Sequence, residues 1–397
     1  MSSWRGKPAT GLIVIVVALA LPACSGTSSQ RTSVTAGTEP PGTESPASLT
    51  EASVDLSGVC PDPLVIQTDW APESEYGGVY GLLGDDYTVD RDRKRVTGSL
   101  TASGQDTGID VEIRAGGGAI SGGVSDAMYF DDSVTFGFGS TDGQILRWGR
   151  MPLLSVVAPL EINPQMIMWD PQTYPDVETL AGLGEEGVTV NVFGGPSSTF
   201  SEVLVAMGVW NQDQIDPSYD GSTARFIAED GAIAQYGWAS DSPYLYEHIL
   251  EEWGKPVAYQ TMHDAGFQTY TATLAIRPDD LEVLRPCLDM FVPIVQQSVV
   301  DFVTDPARTN AAIVDIVARY NTLWQYDLGH ADYSVQTQLE LGITGNGPDD
   351  TIGNFDEERI ATVLQQMRDA GIAVPADLEA ADLFTNEFID ESVGLDS

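Results

Sequence analysis

Asp69-Trp70-Ala71-Pro72-Glu73 places two carboxylates and an indole within five positions, and Tyr76 follows three residues on. Acids beside aromatic rings hold a small solute by hydrogen bonding and stacking. Three later stretches have the same character. Ser140-Thr141-Asp142 and Gly194-Gly195-Pro196-Ser197-Ser198 each follow an apolar run, and Tyr236 and Trp238 close a third. Backbone N–H groups and hydroxyls at such turns can accept an anion or a carbonyl group. Bond-breaking machinery is not visible. The chain has no G-x-S-x-G elbow, H-E-x-x-H, P-loop or Cys–His set, and in so acidic a sequence a carboxylate pair is too common to mark a glycosidase. His248 and His263 lack clustered ligands, and Gly345-Asn-Gly-Pro-Asp-Asp350 lacks the alternating acids of a calcium loop, so neither a metal nor a cofactor is expected.

Each group needs an element to aim it. Leu64–Gln67 reads as a short buried strand that Pro72 stops, and Tyr76, Val79, Tyr80 and Leu83 lie at helical spacing behind it. Asp110–Ala115 alternates as a second strand, and Gly116–Gly123 is a permissive turn opening a helix rather than a phosphate cradle. Val134–Phe138 is a third strand, with a helix from Gln144. Ser140, Thr141 and Asp142 then serve as helix caps or as ligand contacts. Gly187–Phe193 reads as a strand before the Gly-Gly-Pro turn, where Gly195, Ser197 and Ser198 cap a helix or face a ligand. Gly231–Ala239 puts Tyr236 and Trp238 on one strand face, either core or cleft, and Trp70 likewise either plugs a core or faces a ligand. Leu153–Leu160 and Gln165–Trp169 read as outgoing strands, and Val257–Met262 and Tyr270–Ile276 as returning ones. Helices are expected over 279–301, 306–324 and 356–371.

The ends and bulk composition set the compartment. Residues 1–23 carry Arg5 and Lys7 ahead of an apolar run from Gly11 to Leu21, too short to span a membrane. Leu21-Pro-Ala-Cys24 ends this leader, and residues 24–58 form a Ser/Thr/Pro-rich tether. No later stretch reads as long and apolar enough to cross a membrane. Cys60 and Cys287 remain, either as one disulfide or as two separate buried thiols. Of 18 basic residues the leader holds two, leaving 16 against 59 acids. That balance excludes nucleic acid as a partner and argues against resting on anionic lipid. Roughly 340 residues after the tether exceed a usual single core and predict two lobes.

The strand ending in Asp69-Trp70-x-Pro72, with an aromatic residue and glycines after it, resembles the first loop of solute-binding lipoproteins of ABC importers. The family is the one that binds nitrate, sulfonates, taurine or thiamine-pyrimidine precursors, and Val292-Pro-x-x-Gln-Gln297 is similar to its C-terminal helical region. The resemblance implies an α/β, two-lobed periplasmic-binding-protein (type II) fold. Each lobe would be a mixed sheet flanked by helices, with a helical C-terminal extension. Lobe 1 would take 59–157, lobe 2 158–260, and the return with the C-terminal helices 261–397. It further implies lipidation at Cys24, an extracytoplasmic monomer, permease and ATPase partners, and no enzymatic activity. Trp70, Glu73, Tyr76, Ser140, Thr141, Asp142, Gly195, Ser197, Ser198, Tyr236 and Trp238 would then face the ligand. A flat heterocycle between Trp70 and Trp238, a thiamine pyrimidine or riboflavin, suits these groups better than nitrate or an alkyl sulfonate, which want Arg or Lys. A surface ligand sensor with no transport role remains the other class.

Overall fold

The computed structural model describes residues 54–195 and 199–395. The leader, Cys24 and nearly all of the tether lie outside the described residues, as do Ser197 and Ser198.

Leu64–Gln67 (β1) is buried at all four positions because it runs between two parallel neighbours. β2 (Thr88–Asp90), β3 (Arg95–Ala102), β4 (Gln105–Arg114), β5 (Phe136–Gly139) and β6 (Leu154–Val157) follow it. The chain then crosses to a second sheet of β7 (Gln165–Trp169), β8 (Val190–Asn191), β9 (Ile215–Asp216), β10 (Ala234–Trp238) and β11 (Ala258–Thr261). β12 (Thr273–Ile276) returns to the first. The two orders are β2-β3-β4-β1-β5-β12-β6 and β11-β7-β10-β8-β9.

Several expectations are corrected. The strand expected second, over 110–115, is the end of the fourth, β4, which folds onto β3 through Ser103 and Gly104, both at positive φ as a two-residue hairpin turn requires. β6 lies at the edge of the first sheet and β7 in the second, so the outgoing chain crosses between the sheets over 158–164. Val257–Met262 does not return to the first sheet, because β11 is locked onto the edge of β7 from Ala258 to Thr261. Only Val190–Asn191 of the Gly187–Phe193 run is strand.

Around the first sheet lie α1 (Gly77–Tyr80), α2 (Val124–Phe130) and α3 (Thr141–Arg147), and around the second α4 (Leu180–Glu186), α5 (Thr199–Ala206), α6 (Ala224–Ala228) and α7 (Ser242–Tyr244). The helix after Pro72 is shorter than its spacing predicts, and Ser74–Tyr80 has no exposed face. It is pressed between sheet and long helix, where a Cβ on Gly77 would stand 2.1 Å from the Phe302 ring. That long helix is α8 (Leu281–Thr304), followed by α9 (Ala307–Tyr320), α10 (Leu328–Glu340) and α11 (Glu357–Asp369). Pro278–Thr304 is, by length and composition, apolar enough to cross a membrane, which the sequence reading passed over. Here Leu288, Phe291, Val292 and Val295 fill the core of the first lobe. Cys287 on α8 is disulfide-bonded to Cys60 ahead of β1, with Cα atoms 4.8 Å apart.

The C-terminal helices serve both lobes. One apolar cluster joins Leu64, Ile113 and Phe136 of the first sheet to Met166 and Met168 of the second, with Tyr326, Ala331 and Ile343 among its members. Another joins Ile145 to Trp169 and Val190 together with Phe355, Ile360 and Leu364.

Candidate functional site

β1 stops where its last side chains turn back on the backbone. Gln67 Nε2 donates to the Arg114 and Ala115 carbonyls, and Thr68 Oγ1 donates to the Trp70 carbonyl at 2.7 Å. The glycine turn after β4 fastens the same loop, Gly116 N–H to Trp70 O and Gly117 N–H to Asp69 O, both 2.8 Å. A Cβ on Gly116 would lie 2.3 Å from the Thr68 carbonyl, so this close approach requires glycine.

So held, Asp69 and Trp70 stay open to solvent, Trp70 at 39 % exposure. Asp69 is nonetheless crowded by protein, and desolvation raises its pKa even though the Tyr76 hydroxyl donates to it at 2.6 Å. Tyr76 itself is buried edge-on against Phe138, with ring centroids 5.0 Å apart. From β5, Ser140 caps α3 through Gly143 N–H at 3.2 Å, and Thr141 is buried against the Tyr270 backbone. Asp142 remains half-exposed, and burial raises its pKa against the opposing pull of Ser140 and Gly143.

β10 supplies the opposite wall. Tyr236 stacks on Phe200 at 5.7 Å and meets Phe193 at 5.3 Å and Tyr219 at 6.0 Å. Burial raises its pKa, with Tyr219, Asp69 and Asp142 adding to the shift. The charges of Asp69 and Asp142 on the first sheet thus reach Tyr236 on the second. Trp238 is half-buried with its Nε1–H lacking an acceptor, and no ring among the described residues packs on it. Trp70 meets Trp324 edge-on at 6.2 Å, and Trp324 stacks on Tyr326. Gly195 is exposed at φ +71°, at the edge of the described residues.

Glu73 was expected to face a ligand and is instead buried, because the turn after Pro72 folds inward. Desolvation raises its pKa well above the usual range, helped by Glu75, Asp241 and Asp69. Tyr76 and Thr141 are likewise buried supports, while Trp70 is exposed and Asp142 and Tyr236 are partly exposed. Sequence reasoning missed Tyr219, Asp241, Trp324 and His330. Tyr219 alone carried a signal, an aromatic residue in the turn-dense Asp216–Ser222 loop.

Glu75 Oε1 accepts from the hydroxyls of Ser240 in the second lobe and Ser334 on α10, while Oε2 has no donor. Desolvation lifts Glu75 to about 7, against the pull of Ser240. Burial pushes His330 down, but the hydrogen bond and charge of Asp241, with Nε2 2.9 Å from Oδ1, outweigh it and raise the imidazole. Folding thus keeps a proton on Glu75 that the unfolded chain releases near 4.5, and holds one on His330 beyond 6.5. Both make the native state bind more protons, so stability should fall as pH climbs from about 4.5 towards 8. Glu75→Gln should flatten that fall by about 2–3 kcal/mol, read from urea midpoints across the range. Equal slopes in variant and wild type would show that Glu75 is not the protonated group.

Two surface hollows, of about 250 and 420 Å³, open beside the first sheet. The smaller gathers Arg93, Arg95 and Arg114, but each is paired, with Asp90, Glu112 or Asp131.

No protein-family model matches the chain, and no curated protein does. Solved structures do. The alkanesulfonate-binding protein SsuA of Xanthomonas axonopodis pv. citri, bound to MOPS, superposes with TM-score 0.52 at 12 % identity, over 82 % of this chain and 98 % of its own. This is the fold of periplasmic solute-binding proteins. The Escherichia coli aliphatic sulphonate-binding protein SsuA gives 0.51 at 12 % identity over 85 % and 95 %. The ligand-binding component of a Staphylococcus aureus ABC-type import system, with zinc bound, gives 0.52 at 13 % over 83 % and 100 %.

Proposed function

We propose that this chain is the extracytoplasmic solute-binding subunit of an ABC importer, anchored through a lipidated Cys24, that captures a small flat heterocycle between its lobes. The observation that carries the reading is the periplasmic solute-binding fold itself, with the charges of Asp69 and Asp142 on the first sheet reaching Tyr236 on the second. Tyr236, backed by Phe193, Phe200 and Tyr219, offers a ring face of the kind that stacks on a planar solute. Trp70 offers a second, half-exposed indole, and Trp238 an N–H still lacking an acceptor. A thiamine pyrimidine or riboflavin suits these surfaces. The sulfonate ligands of the similar proteins suit them less, since no Arg or Lys pairs with the acids here among the described residues. The protein acts as a monomer with a permease and an ATPase and catalyses no reaction. Its lobes are drawn at 59–157 with the return from 261, and 158–260. Gly195, Ser197 and Ser198 are kept as contacts on the second lobe.

A thermal-shift screen of the mature chain against thiamine pyrimidines, riboflavin, nitrate, taurine and alkyl sulfonates tests this. A ligand at 100 times its Kd should stabilise by about 2.7 kcal/mol. Tyr236→Ala or Trp70→Ala should each cost a ring ligand about 1–3 kcal/mol of binding, and Trp238→Ala less. Binding confined to nitrate or sulfonates would reject the heterocycle and keep transport. No binding at all would favour a surface sensor with another ligand.

A further inference from the structure

We infer that α10 latches the end of β10 to the first lobe, and that protons work the latch, engaging it in mild acid and releasing it as pH rises. The inference concerns the fold alone and stands whatever the solute is.

Ala239, Ser240 and Asp241 follow β10 directly, and each is gripped by a side chain from outside the second sheet. Tyr333 on α10 donates its hydroxyl to the Ala239 carbonyl at 3.3 Å. The Ser240 hydroxyl donates to Glu75 Oε1, in the single turn ahead of α1. His330 on α10 sets its Nε2 2.9 Å from Asp241 Oδ1 and 3.2 Å from the Asp241 carbonyl oxygen. A row of polar side chains backs the grip through α10. Thr344 Oγ1 donates to Gln338 at 2.8 Å, Gln338 Nε2 to Ser334 Oγ at 3.1 Å, and Ser334 Oγ to Glu75 Oε1 at 3.1 Å. The His330 ring lies between Tyr244 of the second lobe, 5.0 Å away, and Tyr326, 4.7 Å away.

This geometry suits one protonation state. Glu75 is 3 % exposed, and both of its donors reach the same oxygen, leaving Oε2 with none. A buried charge so poorly met costs far more than a neutral carboxyl group. Two tyrosine rings and a carboxylate around His330 favour the imidazolium. The other titratable groups facing the pair are Asp69, Glu73 and Tyr76 after β1, and Asp241 and Tyr244 in the second lobe. Tyr326, Asp327 and Tyr333 complete the set from the C-terminal region. Among the described residues no Arg or Lys forms an ion pair with Glu73, Glu75 or Asp241, so His330 is the cation of the latch. A proton lost from Glu75 therefore sets its charge against Glu73 and Asp241, and one lost from His330 leaves Asp241 without a counter-charge. Burial holds the Glu75 carboxyl up to about 7, and Asp241 outweighs burial to raise His330 above 6.5. Once released into water Glu75 returns towards 4.5, so its share of the grip fades between about 4.5 and 7, and that of His330 from 6.5 upwards.

Amide hydrogen exchange of the mature chain, each rate divided by that of unstructured peptide at the same pH, tests both halves. At pH 8.0 the stretches 239–245 and 328–334 should exchange about tenfold or more faster than β1 and β4, which shows opening with the first sheet intact. At pH 5.5 the same stretches should be protected about tenfold or more better than at pH 8.0. Glu75→Gln keeps the acceptor without the charge and should hold the slow exchange at both pH values. His330→Gln keeps a donor for Asp241 without the charge and should already quicken exchange at pH 5.5. Ser240→Ala, which removes no charge, should do the same for 239–245 even if Glu75→Gln fails to fold. Stretches that exchange no faster than β1 and β4 at pH 8.0, or that Ser240→Ala leaves unmoved, overturn the latch. Wild-type protection equal at the two pH values, or a pH response that Glu75→Gln retains in full, overturns its control by protons.

Discussion

Replacing Cys60 and Cys287 together by alanine should cost the folded protein about 2–5 kcal/mol. The two residues are 227 positions apart, so their bond closes a loop that contains all of β1 to β12 and hence the entire second lobe. Loop-closure entropy removed from the unfolded chain grows with the length enclosed, which places this bridge towards the upper end of that range. Both residues are buried, and alanine leaves no new polar group behind. Urea unfolding of the variant, compared with wild type in oxidising and reducing buffer, checks the expectation. Reduced wild type should match the variant. A loss below about 1 kcal/mol would mean that the packing of α8 on the first sheet already restrains the unfolded chain as much as the bond does.

β1 was legible in the sequence because a strand with parallel neighbours on both sides is apolar throughout. The β2–β3 hairpin was not, since Arg91-Asp92-Arg93-Lys94 between its strands reads as a charged loop and only one face of β3 is buried. Helix α10 was hidden for a related reason. It buries His330, Ser334, Thr337 and Gln338, and a polar buried face has no hydrophobic period to read. Ser334 meets Glu75 and His330 meets Asp241, partners far away in sequence, and Gln338 braces Ser334. The site divides along the same line. Asp69, Trp70 and Tyr236 stand out as an acid and aromatic residues on or just after strands, whereas Asp241 and Trp324 gain their meaning only from tertiary placement. Glu73 shows the converse. An acid beside a proline suggests exposure, and the fold turns it inward.

Arg359→Ala should destabilise the protein by about 3–5 kcal/mol. From α11 the guanidinium donates to the Gln268 carbonyl at 2.6 Å and the Thr269 carbonyl at 3.1 Å, and pairs with Glu161 at 2.9 Å. It also lies 3.8 Å over the Tyr270 ring. Glu161 belongs to the segment leaving β6 for β7, and Gln268–Tyr270 to the one returning from β11 to β12. One side chain thus ties together both passages between the sheets. Its loss strands two carbonyls and removes the charge that opposes the burial of Glu161, whose pKa already stands at about 7. Arg359→Lys keeps the charge but loses the planar fork, so an intermediate cost is expected. Hydrogen exchange over 158–164 and 262–272 should quicken in the alanine variant before global unfolding does. Unchanged exchange there would show that the shared apolar clusters, rather than Arg359, hold the passages. If the clamp holds as drawn, lobe movement about these passages has to carry α11 with it. Solute affinity in Arg359→Ala should then change through the cost of closing.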